Sequence, residues 1–162
     1  MTGQPASKPE TKYETDYVAW TREQAEMLRS RRWDGLDLDH LIEEIEDLGG
    51  SDLAAVESHL VRVVEHLLKL EHSPARNPRD GWEDSVDTHR ALTERRIARS
   101  KSLVRRIDLD GIYRTARRLA AKSLQRHDGL DPAVLPVECP YTLDQILDPD
   151  WLPDNTAFPE RA

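Results

Sequence analysis

The chain has a single cysteine, Cys139, in 162 residues. An intramolecular disulfide is therefore excluded, and a reducing, cytoplasmic compartment is the simplest expectation. No basic stretch followed by an apolar one opens the sequence, which predicts that the chain is not secreted. Long apolar runs are missing too. The richest piece, LVRVVEHLLKL at 60–70, is interrupted by Arg62, Glu65 and His66 and falls well short of the roughly 20 residues that span a bilayer. No membrane partner is expected. Alternating apolar and polar residues, the mark of a half-buried strand, are absent, as is any internal repeat. The signatures of nucleophilic and phosphate chemistry are missing as well: no G-x-S-x-G elbow, no glycine-rich loop ahead of a helix, and no histidine near the proline-flanked Cys139. No cofactor is expected.

What remains is helical periodicity. The length suits one compact domain, placed at 13–153, between a disordered lead-in at 1–12 and a tail at 154–162. Thr15 or Asp16 can cap a first helix that carries Trp20, Gln24 and Met27 or Leu28 on one side up to about Arg31. Asp37 can cap a second, in which Leu41, Ile45 and Leu48 form one stripe with Ile42 at its margin. The Gly49-Gly50 pair predicts a break. A third helix at about 51–71 is the most apolar, with Leu53, Val56, Leu60, Val63, Val64, Leu67 and Leu68 forming a wide stripe, and is expected to be central. HSPARNPRDG is a loop by its prolines and Gly81. A fourth helix carries the sparse stripe Trp82, Val86, Thr93, Ile97 and Val104, with His89 among them. A fifth begins after Asp108 and stops at His127-Asp128-Gly129. In the proline-rich end, Thr142 and Gln145 make a capping box, and Leu143, Ile146, Leu147 and Trp151 are placed to clamp that segment on the rest. The fold class is all-α, a bundle of about five main helices with a short C-terminal one.

Taken in order, YETDYVAWTREQ at 13–24, LIEEIEDLGGS at 41–51, HLLKL at 66–70, the Trp82 segment and ECPYTLDQILDPDWLP at 138–153 resemble the bacterial domain-of-unknown-function family twenty-nine. The order and spacing over about Tyr13 to Pro153 carry the resemblance, and no single motif does. It implies a helical, intracellular protein without an established activity, and it hands over no catalytic residue. Leu70 stands where the family often has an aromatic residue, and the doubled glycine is a second departure. Both concern packing.

Charge is unevenly distributed. The chain has 31 acids and 23 bases, yet residues 90–126 hold twelve bases and three acids. Within them Arg95, Arg96, Arg99, Arg105, Arg106, Arg114, Arg117 and Arg118 are the candidate polyanion-binding residues. Only Tyr113 is aromatic there and no nucleic-acid-binding motif is present, so nucleic acid is the less favoured partner. Residues 36–47 hold Asp37, Asp39, Glu43, Glu44, Glu46 and Asp47 and neither lysine nor arginine. The expected use of the arginines is therefore internal, with Glu44 and Glu46 reaching across to them while Glu43 and Asp47 face water or another protein.

The remaining candidates are carboxylates and histidines. A metal site built from Glu43 or Glu44 with His59, His66 and His89 lacks the Glu-x-x-His spacing of a di-iron bundle, and Asp37, three before His40, serves better as a cap. No protein-bound metal is expected. Glu57 falls inside the apolar stripe of its helix and should be neutralised there by an arginine. If the chain is an enzyme working with Glu and His side chains between helices, Glu44, Glu57, His66 and His89 are the catalytic candidates. The favoured reading is a non-enzymatic interaction or scaffold module that pairs with itself or another protein. Polyanion binding and an uncharacterised enzyme are the alternatives.

Overall fold

The computed structural model describes residues 11–157, so the greater part of the expected lead-in and the last residues of the tail lie outside the described residues. Those described form helices α1 (Lys12–Thr15), α2 (Tyr17–Arg29), α3 (Leu38–His72), α4 (Arg79–Arg99), α5 (Leu109–Asp128) and α6 (Leu143–Leu147). Short 3-10 turns occur at Trp33–Gly35, Lys101–Arg106 and Pro132–Val134. The chain is an all-α helical bundle with no strand among the described residues, and no helix there is long and apolar enough to cross a membrane.

The expected break at Gly49-Gly50 does not occur. α3 runs through both glycines for 35 residues, and neither has the positive φ that a C-terminal glycine stop requires. A glycine costs a helix about 1 kcal/mol, which the buried face of α3 from Val56 to Leu70 outweighs. The fourth helix is shorter than its stripe suggested. It ends at Arg99, and Val104 lies in the 3-10 turn that follows, where Leu103 is the buried residue. α5 matches its signals: the Asp108 side chain accepts from the Gly111 amide at 3.0 Å, and Gly129 closes the helix at φ 68°.

The chain divides into two compact units at Gly49–Gly50. The first is built on α1, α2 and the start of α3. Trp20 and Gln24 are its buried side chains. The Trp20 indole donates to Asp37 Oδ2 at 3.1 Å, and the Gln24 side-chain carbonyl accepts from the Asp37 amide at 2.9 Å. Asp37 also takes His40 Nδ1 at 2.7 Å, and the His40 ring stacks on Tyr13 with centroids 4.0 Å apart.

The second unit holds the core. Val56, Leu60, Val63, Val64, Leu67, Leu68 and Leu70 of α3 pack with Val86 of α4, Ile112, Tyr113, Ala116, Ala120 and Leu124 of α5, and Leu135, Tyr141 and Ile146 of the C-terminal segment. As expected, Leu143, Leu147 and Trp151 pack against that core around Ile146, and the Thr142–Gln145 capping box forms. Arginines fasten this segment through its carbonyls. Arg90 donates from Nε to Ile146 O at 2.8 Å and from Nη2 to Gln145 O at 3.2 Å. Arg117 does the same to Pro136 O at 2.6 Å and Leu135 O at 3.0 Å. Tyr141 donates its hydroxyl to Glu71, and Asn155 reaches Leu70 O at 2.6 Å.

Candidate functional site

Helical spacing sets one polar row on α3: His59, Arg62, His66 and Lys69, three or four residues apart, with Glu65 beside them. α4 brings His89 against it. The Nδ1 atoms of His59 and His89 are 3.1 Å apart and their ring centroids 5.2 Å. One ring must donate and the other accept across that distance, so the pair cannot carry a proton on both facing nitrogens. Burial lowers the proton affinity of both; the neighbouring ring and Arg96 add to it for His59, and Arg62 adds to it for His89.

His66 lies next along the row. Its Nδ1 is buried without a hydrogen-bond partner. Burial, followed by the charge of Lys69, pushes it down to about 4, against the smaller upward pull of Glu65. Glu65 and Lys69 are themselves buried, and Lys69 Nζ donates to Glu65 Oε1 at 2.6 Å while Arg62 donates to Oε2 at 2.8 Å. Burial alone would raise the Glu65 carboxyl; the hydrogen bonds and charge of Lys69, with Arg62, outweigh it and hold it below the ordinary glutamate value.

Of the catalytic candidates in the second unit, Glu57 does not meet the two histidines. His66 and His89 belong to this row, whereas Glu57 lies elsewhere on α3, half-buried near the start of α5. Its Oε1 accepts from the Asp108 amide at 3.2 Å, so a backbone group stands where an arginine was expected. Glu44 sits in the first unit and accepts from Tyr13 at 2.7 Å and Tyr17 at 2.6 Å, not from an arginine. Those two hydrogen bonds lower its carboxyl pKa, and the Tyr13 hydroxyl is pushed up to about 12 chiefly by its bond to Glu44. Glu46, the other carboxylate expected to reach an arginine, is exposed and forms no ion pair within its unit.

Glu65 was missed as a site residue. Its signals were present in the sequence, a lysine four residues on and an arginine three residues back. Among the described residues no group of three or more His, Cys, Asp or Glu is placed to hold a metal ion. A cleft of about 400 Å³ beside α4 is lined by Asp87, Arg90, Glu94, Ile97, Leu147 and Pro149 and includes none of the three histidines.

The basic segment splits by duty. Arg90 and Arg117 hold carbonyls, and Arg96 pairs with Asp52 at 2.9 Å. Arg114 is exposed and 4.0 Å from Asp108. Arg95, Arg99, Arg105, Arg106 and Arg118 are exposed and have no carboxylate partner within their unit.

The apolar stripe of α3 divides similarly. In the second unit it is buried. In the first, Leu38, Ile42, Ile45 and Leu48 are 54–71 % exposed. Exposed Asp39, Glu43, Glu46 and Asp47 accompany them, and from Trp33 to Val61 the sequence has nine acids and neither lysine nor arginine.

Nothing among curated proteins or solved structures matches this chain. A family model does match, over residues 12–152, from the first residue of α1 to just beyond α6, and on that span the chain belongs to the family Domain of unknown function DUF29.

Proposed function

We propose that the chain is a non-enzymatic helical interaction module that associates with a second copy of itself. The observation that carries this is the apolar stripe Leu38, Ile42, Ile45 and Leu48, more than half exposed on one face of α3. Fully burying one such side chain is worth about 1.5–3 kcal/mol, and a contiguous row of them left in water marks an interaction surface. Charge supports a second copy as the occupant. Asp39, Glu43, Glu46 and Asp47 of α3, and Arg95, Arg99, Arg105, Arg106 and Arg118 of the other unit, are exposed and have no ion-pair partner within their own unit. The placement of Glu57 away from the histidine row supports a role without catalysis. Polyanion binding stays the alternative: Arg96 and Arg117 are committed to Asp52 and to backbone carbonyls, and the other six candidate arginines are exposed.

Sedimentation velocity at low micromolar concentration tests the proposal. The expected result is an average mass that rises with concentration above the 18.6 kDa of one chain. Ile45→Ser combined with Leu48→Ser should abolish the rise while leaving the far-ultraviolet circular dichroism unchanged. A wild-type chain that stays at 18.6 kDa overturns it.

A further inference from the structure

From Arg95 to Ile107 the sequence has six bases and no acid. The stretch covers the end of α4 and the 3-10 turn Lys101–Arg106, which the buried Leu103 pins to the core of the second unit. Arg96 pairs with Asp52 of α3 at 2.9 Å. The other five, Arg95, Arg99, Lys101, Arg105 and Arg106, are exposed and have no ion-pair partner within their unit. The negative end of the α4 macrodipole accounts for part of this. It amounts to about half a charge and fades within one turn, so it matches Arg96 and Arg99 but not Lys101, Arg105 and Arg106 beyond the helix. Arg118, Lys122 and Arg126 of α5 are likewise exposed and unpaired in their unit, and pairing with Asp39, Glu43, Glu46 and Asp47 of a second copy would leave half of these eight cations unmatched.

The spacing suits a phosphate backbone. Arg95 and Arg99 are about 6 Å apart along α4, and Lys101 to Arg106 spans about 10 Å of 3-10 turn. A nucleic-acid duplex presents one charge per about 1.7 Å of axis, so about six over that length. Four of the five cations are arginines, whose planar guanidinium takes two phosphate oxygens at once. The Ser100 and Ser102 hydroxyls, 3.2 Å from one another in the same turn, are donors of the kind phosphates also take. Stacking and insertion are not provided for. No large hydrophobic side chain between Leu48 and Val134 is exposed, and Tyr113 is buried with its hydroxyl on Pro136 O at 2.7 Å. A single strand held by stacked bases and a bilayer entered by apolar side chains are both poorly matched.

We propose that the end of α4 and the 3-10 turn after it bind the phosphate backbone of a nucleic-acid duplex without reading its sequence. The inference goes beyond self-association and does not rest on it. The net charge of −8 does not oppose it strongly, because salt at about 0.1 M confines the reach of each charge to about 10 Å, and the acids that border the patch in sequence are Glu94 and Asp108 alone.

Fluorescence anisotropy with a labelled DNA duplex of about 20 base pairs tests this. The wild-type chain should bind at about 50 mM salt. With five phosphate contacts, log affinity should fall against log salt with a slope of about −4.5, about five-hundredfold between about 50 and about 200 mM. Arg99→Gln, Arg105→Gln and Arg106→Gln together should reduce the slope to about −1.8 and the affinity at about 50 mM by about tenfold or more. Arg118→Gln, Lys122→Gln and Arg126→Gln remove the same charge from α5 and should keep the wild-type slope. All six positions are exposed, and a helical circular dichroism spectrum with a thermal midpoint no lower than that of the wild type verifies that each variant folds. A duplex of unrelated sequence should bind within about twofold. Absence of wild-type binding at about 50 mM salt overturns the proposal. So does an equal loss in the α5 variant, since net charge would then be the cause. Retention by vesicles of anionic phospholipid without binding to the duplex assigns the patch to a membrane surface and overturns it as well. Self-association is read by sedimentation of the chain alone, so either reading can fail without the other.

Discussion

Lys69 Nζ lies 2.6 Å from Glu65 Oε1, one turn along α3, with both side chains under a tenth exposed. Neither charge is well placed without the other. Removing one partner of a buried pair typically costs about 3–5 kcal/mol, whereas replacing both with apolar groups of similar volume is close to neutral. Lys69→Met should therefore lower unfolding stability by about 3 kcal/mol, eased by Arg62, which still reaches the stranded carboxylate. Adding Glu65→Leu should recover most of that loss. Urea denaturation of the two single variants and the double variant measures the coupling, and a double variant as unstable as the sum of the singles would contradict it.

The histidine row predicts acid sensitivity. His66 is held down to about 4, and His59 and His89 are also lowered, first by burial. The charged groups acting on them are Arg62, Lys69 and Arg96, with Glu65 the one acid. The unfolded chain binds protons at these rings near about pH 6.5, and the folded chain resists until the pH is lower. Stability is thus complete above about 6.5 and is lost as the pH falls toward about 4. Glu65, whose carboxyl is lowered, adds its own loss below the ordinary glutamate value of 4.5. Urea midpoints at about pH 7.5 and about pH 5 should differ, and His66→Leu should narrow the difference. An equal drop in both proteins would remove His66 as the cause.

Gly49 and Gly50 offer a direct gain. Both lie inside α3, and a Cβ at either would meet nothing within 4 Å. Alanine there should raise stability by about 0.5–1 kcal/mol at each position, by reducing the freedom of the unfolded chain. A loss of stability in the thermal midpoint would mean that the helix needs the glycines. The same substitution at Gly129, φ 68°, should be destabilising.

These cases also mark what was legible in the sequence. α5 could be read from Asp108 to Gly129, and α6 from its capping box, because the signals are local and the residues that form them are adjacent. The course of α3 through its glycines was not legible, because the deciding term is packing over many turns rather than the two glycines themselves. The arginines were hardest. Their sequence pattern says that twelve bases lie close together, but not that Arg90 and Arg117 bind carbonyls of a distant segment while Arg118 faces water. Glu57 was read as covered inside the apolar stripe, yet it is half-buried and bonds a backbone amide rather than an arginine. A backbone amide at a helix start carries no sequence label.

The carbonyl clamps have a consequence for how the chain matures. Leu135, Tyr141 and Ile146 complete the buried core, and the guanidinium of Arg90 stays uncapped until Gln145 and Ile146 arrive. These residues follow α3, α4 and α5 in the chain. A nascent chain that has already released α3, α4 and α5 still presents an unfinished apolar surface, so closure of the second unit waits for the segment from Leu135 to Ile146 to emerge, and protection from aggregation is needed until it does.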